Sequence, residues 1–397
     1  MWRNCRMKNI FVERVERSEH GMETHLSMSQ KYGLVTGELL GEKRMLSESY
    51  AGGKLCYKDD IVLNRLKAHL GVFALAPQSG VISPDYTVLK PFTENILPRF
   101  AEYYLKSDVC RNELRIRVRG IVEGFWRLYT DDFYTIRIQL PSLDEQAQIV
   151  RYLDWKVSQI NKLINAKRRQ IELLGEQKRV LIHDVVKQTD TCQRCKLKNL
   201  AFFKSGTNLT SLEISDEGDY PVYGGNGLRG FYPEFSHDGE YLLVGRQGAL
   251  CGNVHYVNEK FWATEHAVTV KAKDIAKVRW LYYMITNMNL NQYSNAAAQP
   301  GLSVEYVVNL PAYLPSQEKQ TEIAKWLDKI SDQIDTIIAK LNDELALLYE
   351  YRTRLISDVV TGKLDVRGVK VPEHEAVEEI DDEMISDNDA DEAEVFE

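Results

Sequence analysis

No stretch of this 397-residue sequence is apolar for long enough to cross a membrane, and its charged start, MWRNCRMKNIFVERVERSEH, is unlike a secretory signal. Cysteine is sparse. Cys5, Cys56, Cys110, Cys192, Cys195 and Cys251 are scattered over a chain long enough to bury its own cores, which argues against a disulfide framework and for a reducing cytoplasm. Recognisable catalytic motifs are missing too. Ser83-Pro84-Asp85-Tyr86 has the outline of an amino-methyltransferase site, but its second proline is absent and no glycine-rich cofactor loop follows a suitable strand. Pro84-Asp85 with Glu176-Gln177-Lys178 fails as a nuclease centre, because the second group falls inside a long helical pattern. The lone Cys192-Gln-Arg-Cys195 has no second pair and reads as two free thiols rather than a zinc site.

Lys and Arg are absent from residues 373–397, which hold thirteen acidic residues; without this tail the formal charge of −8 becomes +5. A mildly basic body is compatible with nucleic-acid contact but does not establish it. The tail is expected to be a solvated, disordered segment, with an autoinhibitory nucleic-acid mimic as the alternative.

What the sequence does have is a duplication. LPSLDEQAQIVRYLD begins at Leu140 and LPSQEKQTEIAKWLD begins at Leu314, an offset of 174. The offset continues without a gap through Gln159-Ile160 and Gln333-Ile334 to Leu181–Val186 and Leu355–Val360. In the first copy apolar residues recur at Ile149, Leu153, Val157, Ile160, Ile164, Ile171, Leu174, Leu181 and Val185. The second has Ile323, Leu327, Ile334, Ile338, Leu341, Leu345, Leu348, Leu355 and Val359. Steps of three, four and seven predict a long helix with one narrow apolar seam. Pro141 and Pro315 exclude an earlier start, and Ser142 with Glu145 fits a capping box; Lys319 replaces that glutamate in the second copy, so its cap should be weaker. Each helix of about 45 residues would span roughly 65–70 Å. Neither buries its seam alone, so the two should pack on each other. Antiparallel packing would relate the halves by a pseudo-two-fold axis. Two separate helices, each packed on its own domain, is the alternative.

A fainter copy lies upstream. Residues 61–90, IVLNRLKAHLGVFALAPQSGVISPDYTVLK, align at offset 181 with LLVGRQGALCGNVHYVNEKFWATEHAVTVK at 242–271. Gly71 matches Gly252 and Lys90 matches Lys271; RFAEYYL from Arg99 matches RWLYYMI from Arg279, both helical and aromatic. The plan is globule, long helix, globule, long helix, tail.

These residues resemble the specificity subunit of type I restriction-modification systems. The resemblance rests on the proline-led LPSLDEQ and LPSQEKQ, the two long helices, the ending VVTGKLDVRG at 359–368, and YPVYGGNGLRGFY at 220–232 with LLVGRQGALCGNV and FWATEHAV. It covers nearly the whole chain except the tail. The first globule departs more, with Asn64 in place of Gly245 and no YGGNG. The resemblance implies an α+β fold with two related α/β target-recognition domains, separated by two long helices in an antiparallel coiled coil with pseudo-two-fold internal duplication. Its expected parts are recognition domains at 1–140 and 191–313, spacer helices at 141–190 and 314–367, and the acidic tail at 368–397. It implies a non-catalytic subunit that reads a bipartite double-stranded DNA target, one domain per half-site, and docks two methyltransferase subunits on its helices. Restriction/translocase subunits would join through the complex. S-adenosylmethionine, ATP and Mg would be held by those partners and none by this chain. A self-contained DNA-modifying enzyme with unrecognised catalytic residues is the other hypothesis.

The loop YGGNGLRG presents Asn226 and Arg229 between glycines, and GRQG presents Arg246 and Gln247 just past a strand end. Asn suits adenine edges, and Arg suits guanine edges or phosphate. By alignment the same role falls to Asn64, Arg65 and Lys67, and His266 lies in the ATEHAV motif. The competing readings are an internal ion pair for Arg246, an ordinary turn for Asn226 and Arg229, and a core-satisfied histidine for His266.

Overall fold

The computed structural model describes residues 2–29, 33–36, 50–92, 94–120, 126–187, 192–248, 251–294 and 301–375. The chain divides into two compact units, 1–169 with 341–397, and 170–340.

In the first unit the strands are β1 (Arg3–Arg6), β2 (Phe11–Arg14), β3 (Leu26–Ser29), β4 (Gly33–Thr36), β5 (Lys54–Cys56), β6 (Ile61–Asn64), β7 (Phe73–Leu75), β8 (Gly80–Ile82) and β9 (Tyr86–Pro91). Helices α1 (Pro98–Leu105), α2 (Asp108–Arg115) and α3 (Thr130–Thr135) follow, then β10 (Arg137–Leu140) and the start of α4 (Leu143–Lys187). The sheet at its centre has the order β2-β9-β6-β7. β6 is buried on both faces, with Ile61, Val62 and Leu63 at most 2% exposed, which is why it reads as an uninterrupted apolar run. One face carries Val62, Ala74 and Val88 and is covered by Leu26, Met28 and Leu34 of the β3–β4 hairpin. β1 pairs antiparallel with β10, bringing Arg3 opposite Leu140 at the doorstep of α4.

The second unit takes the remainder of α4 and then β11 (Gln193–Lys196), α5 (Leu197–Leu200), β12 (Ala201–Ser205), β13 (Tyr220–Gly224), β14 (Gly227–Tyr232), β15 (His237–Gly245), β16 (Val254–Ala263) and β17 (Ala267–Ala272). After these come α6 (Val278–Asn287), α7 (Val304–Val307), β18 (Pro311–Leu314) and the first part of α8 (Gln317–Val360). Its sheet, β12-β17-β15-β16-β13-β14, repeats the four-stranded order of the first and adds a hairpin at one edge. Ile61 faces Leu89 in one sheet, and Leu242 faces Val270 in the other, at the expected offset of 181. Trp280, Tyr283 and Ile285 of α6 pack with Leu242, Val244, Val268 and Val270 into the main core.

Both long helices form. Within the first unit α4 and α8 run antiparallel: the Arg352 guanidinium donates to Asn161 Oδ1 at 3.0 Å, and Lys167 pairs with Glu344. Within the second unit Lys178 meets Asp335 at 2.7 Å, in the same sense. The expected seam is buried at Leu153, Val157, Ile160 and Ile164 but only half-buried at Ile171, Leu174, Leu181 and Val185. Leu348 is likewise half-buried, and Tyr349 takes the buried place beside it.

The expected capping box is only half made. Ser142 Oγ accepts from the Glu145 amide at 3.3 Å, but the Glu145 carboxylate turns to the Trp2 indole, which donates to it at 3.0 Å. Ser316 caps α8 at the same 3.3 Å through the Lys319 amide, so the serine bond is no weaker there. Glu145 is spent on tertiary contact, which leaves the two caps alike.

The structural anchor of each helix is instead a buried glutamine. Gln146 accepts from the Leu97 amide at 2.8 Å and donates to the Asn95 and Pro141 carbonyls at 2.9 and 3.0 Å. Gln320 does the same with the Lys277 amide and the Ile275 and Pro315 carbonyls, at 2.7, 3.1 and 2.9 Å. Eight residues on, Asp154 receives the Tyr103 hydroxyl at 2.7 Å and the Arg99 guanidinium at 3.2 Å. Asp328 receives Tyr283 and Arg279 identically. Each globule is thus bolted to its own helix start by the same four side chains.

Beyond α8 the chain turns back along the start of α4, where Gln148 donates to the Val366 and Val369 carbonyls and Ser158 to that of Glu375. Residues 368–375, expected in the solvated tail, therefore lie against the helix. The tail expectation for 376–397 falls outside the described residues. Among the described residues no helix is long and apolar enough to cross a membrane.

Candidate nucleic-acid interface

Because β17 pairs antiparallel with both β12 and β15, the C-terminal ends of β12 and β15 and the N-terminal end of β17 share one edge. Loops from four places in the second unit converge there. Gly245 ends β15, and the next amide, of Arg246, donates to the His266 carbonyl at 2.9 Å. The Arg246 carbonyl accepts from Leu302 at 2.9 Å, and Gln247 bridges to Gly301. The β13–β14 turn supplies Gly225 and Asn226. Gly225 lies so near this group that a Cβ there would stand 2.9 Å from the His266 carbonyl oxygen; only glycine fits.

The sequence candidates of this domain therefore meet. Asn226 is exposed at the tip of the turn. Arg229 is exposed on β14 and lays its aliphatic stem over Gly224. Arg246 is half-buried, its guanidinium 3.5 Å from Ser205 Oγ, and among the described residues no carboxylate pairs with it. Gln247 Oε1 lies 3.0 Å from His266 Nδ1, and the other ring nitrogen lies 3.0 Å from Glu265. His266 is surface-held by these polar neighbours rather than core-satisfied. Beneath the turn Tyr223 bonds Glu259 at 2.8 Å, and burial with that carboxylate pushes its hydroxyl up to about 12.

The first unit builds the matching edge with its candidates in different work. Asn64 caps a short 3-10 turn, Arg65–Leu70, its side-chain oxygen accepting from the Leu66 and Lys67 amides at 3.1 and 3.4 Å. Arg65 donates to the Asp85 carbonyl at 2.8 Å, with Pro84 at 3.5 Å, so its guanidinium ties the turn to the start of β9. Lys67 is exposed. Asn64 thus serves as a cap where the second domain has Gly245 at the end of β15. Both loops still end on a left-handed glycine, Gly71 at φ 74° and Gly252 at φ 90°. Both are also clamped the same way, because Leu128 donates to the Arg65 carbonyl at 3.1 Å as Leu302 does to that of Arg246.

A family model for the type I restriction modification DNA specificity domain matches this chain twice, over residues 25–173 and 190–347. The chain belongs to that family. It is also 32% identical over 327 residues to the Escherichia coli type I restriction enzyme EcoprrI specificity subunit, covering 76% of this chain and 79% of the relative. A putative specificity subunit of Haemophilus influenzae is 30% identical over 125 residues, 31% of this chain and 32% of that one. A solved chain from work on assembly and conformational transition of the type I R-M system shares the fold at a TM-score of 0.67 and 16% identity, covering 91% of this chain and 98% of its own. A type I specificity subunit selects the DNA sequence and is a non-catalytic component of its restriction-modification system.

Sequence reasoning about this specificity subunit missed the glutamine bolts. The signal was present, since Gln146 and Gln320 are identical in the fifteen-residue repeat while the preceding residues, Glu145 and Lys319, are not. It also missed the earliest copy. RNCRMKNI at 3–10 answers QRCKLKNL at 193–200, which sets Cys5 opposite Ile138 and Cys195 opposite Ala312.

Proposed function

We propose that each recognition domain reads one half of a bipartite double-stranded DNA target and that the paired helices dock two methyltransferase subunits. The observation that carries this reading is the repeated edge, whose two loops occupy equivalent places and are each clamped by a leucine amide, on the Arg65 carbonyl in one domain and the Arg246 carbonyl in the other. Asn226, Arg229, Arg246, Gln247 and His266 read the second half-site, where exposed side chains on glycine-bordered loops can enter a groove. Lys67 approaches DNA in the first domain, while Asn64 and Arg65 set the shape of its loop. Chemistry falls to partners: methyltransferase subunits with S-adenosylmethionine, then restriction/translocase subunits with ATP and Mg, in the cytoplasm.

Binding of the assembled complex to targets altered in one half at a time tests this. Arg246→Ala should lower affinity by about 1–3 kcal/mol through one half-site and leave discrimination at the other intact. An even loss across all sequences would make Arg246 a phosphate contact. No change in either quantity would remove Arg246 from the interface. Methylome sequencing of cells carrying the complete system would then identify the bases.

A further inference from the structure

The second domain's sheet has an outer face that the reading edge does not use. Along it β12 presents Phe202 and Lys204, β17 presents Lys271, and β15 presents Tyr241. The register sets Phe202 opposite Lys271 and Lys204 opposite Thr269, so the two lysines sit diagonally across adjacent strands. Such neighbours are about 7–8 Å apart at Cα. Both lysines are exposed, and among the described residues neither ammonium pairs with a carboxylate. The Lys271 ammonium lies 5.4 Å from the Tyr241 centroid, and a third lysine, Lys273, lies 4.5 Å from that of Phe202. Phe202 itself is 63% exposed, with Lys273 over its ring. The carboxylate on this face, Glu259, lies nearer the far edge and is engaged by Tyr223. Lys204 and Lys271 both act on His237, whose pKa is lowered first by burial and then by these two charges.

We propose that this face is a track for the DNA phosphate backbone beside the second half-site, with Lys204 and Lys271 as its contacts and Phe202 and Tyr241 as its floor. Three features select a polyanionic backbone. The charges are unpaired. Their Cα atoms stand about twice the 3.4 Å axial rise per phosphate of one DNA strand apart, within reach of adjacent phosphates. And the track reaches the reading edge, because Lys204 is the last residue but one of β12, whose C-terminal end lies there. The lysines supply affinity that is blind to sequence and position the domain so that its loops can read bases. In the first domain the matching positions hold Val12, Arg14 and Lys90, and there Arg14 is paired with Asp60 at 2.7 Å.

This inference rests on the DNA-reading function proposed above, and the experiment keeps the two apart. The complex with methyltransferase subunits is titrated on target and non-target duplexes over a series of salt concentrations, as wild type, Lys204→Ala/Lys271→Ala and Lys204→Arg/Lys271→Arg. The alanine pair should weaken both duplexes by the same factor and make the slope of log K against log salt shallower by about 1.8, two contacts at 0.9 each. The arginine pair should retain the wild-type slope. The methylated sequence should not change. An unchanged slope in the alanine pair would overturn the track, as would loss of affinity on the target alone, which would make the lysines base readers. Weakened subunit assembly with an unchanged DNA slope would assign the face to a protein partner and also overturn it. Failure of the wild-type complex to discriminate target from non-target would instead strike the function itself.

Discussion

In the first domain the chain between β2 and β6 lays its β3–β4 hairpin across the sheet, closing Val62, Ala74 and Val88 under Leu26, Met28 and Leu34. In the second the corresponding insert joins the sheet's edge instead, through the parallel pairing of β13 with β16, with Val222 opposite Trp262. The matching face there keeps a smaller cluster of Leu243, Val257, Phe261 and Ala263 with Tyr223 and Tyr241, and leaves the β12–β17 side open. The lysines follow this difference. Lys90 in the first domain lies within range of the Asp60 carboxylate, whose pKa it helps to lower against burial, whereas Lys271 stands over a tyrosine ring with no acid partner. One four-stranded frame therefore supports two surfaces, and where the insert goes decides which surface results.

The frame should be indifferent to that choice, and the glutamine bolts test it most severely. Gln146→Ala and Gln320→Ala each strip a buried side chain that satisfies one amide and two carbonyls. Each should cost about 3 kcal/mol, since every buried backbone group left unpaired costs roughly 1–3. Denaturant unfolding of the two variants should give equal losses; a loss confined to one would break the equivalence of the frames.

The reading edges should behave oppositely. Arg65→Ala removes bonds to backbone carbonyls and should lower stability by about 1–2 kcal/mol, hydrogen bonds from a charged donor being the stronger kind. Arg246→Ala should leave the unfolding midpoint unchanged and register only in DNA binding. Calorimetric scans of both variants decide this, and a destabilised Arg246→Ala would show that it too is structural.

The helix pair offers the mildest comparison. Asn161 with Arg352, and Asp335 with Lys178, are the same contact under the offset of 174, once between largely buried side chains and once at the surface. Asn161→Ala should cost about 1.5–2 kcal/mol, because a buried guanidinium loses an acceptor. Asp335→Ala should cost no more than about 0.5, as exposed ion pairs do. A double-mutant cycle at each pair measures the difference, and equal coupling energies would contradict the assigned burial.

The sequence by itself determined the duplication, the two long helices, and the buried strand Ile61–Leu63 with its copy. Each of these is a local property: seam period and apolar run length are written in residues a few positions apart. Family membership was legible for the same reason, in short motifs kept in order. Only the tertiary structure decided which polar residues serve the frame. Asn64 and Arg65 bond the backbone around their own turn, and Glu145 left the helix cap for Trp2. It also decided that residues near 225, 246, 266 and 301 form one surface. Their meeting depends on strand order and on carbonyls brought close from far along the chain. A buried donor must find an acceptor somewhere, but neither pattern nor propensity says where, because that partner exists only once the chain has folded.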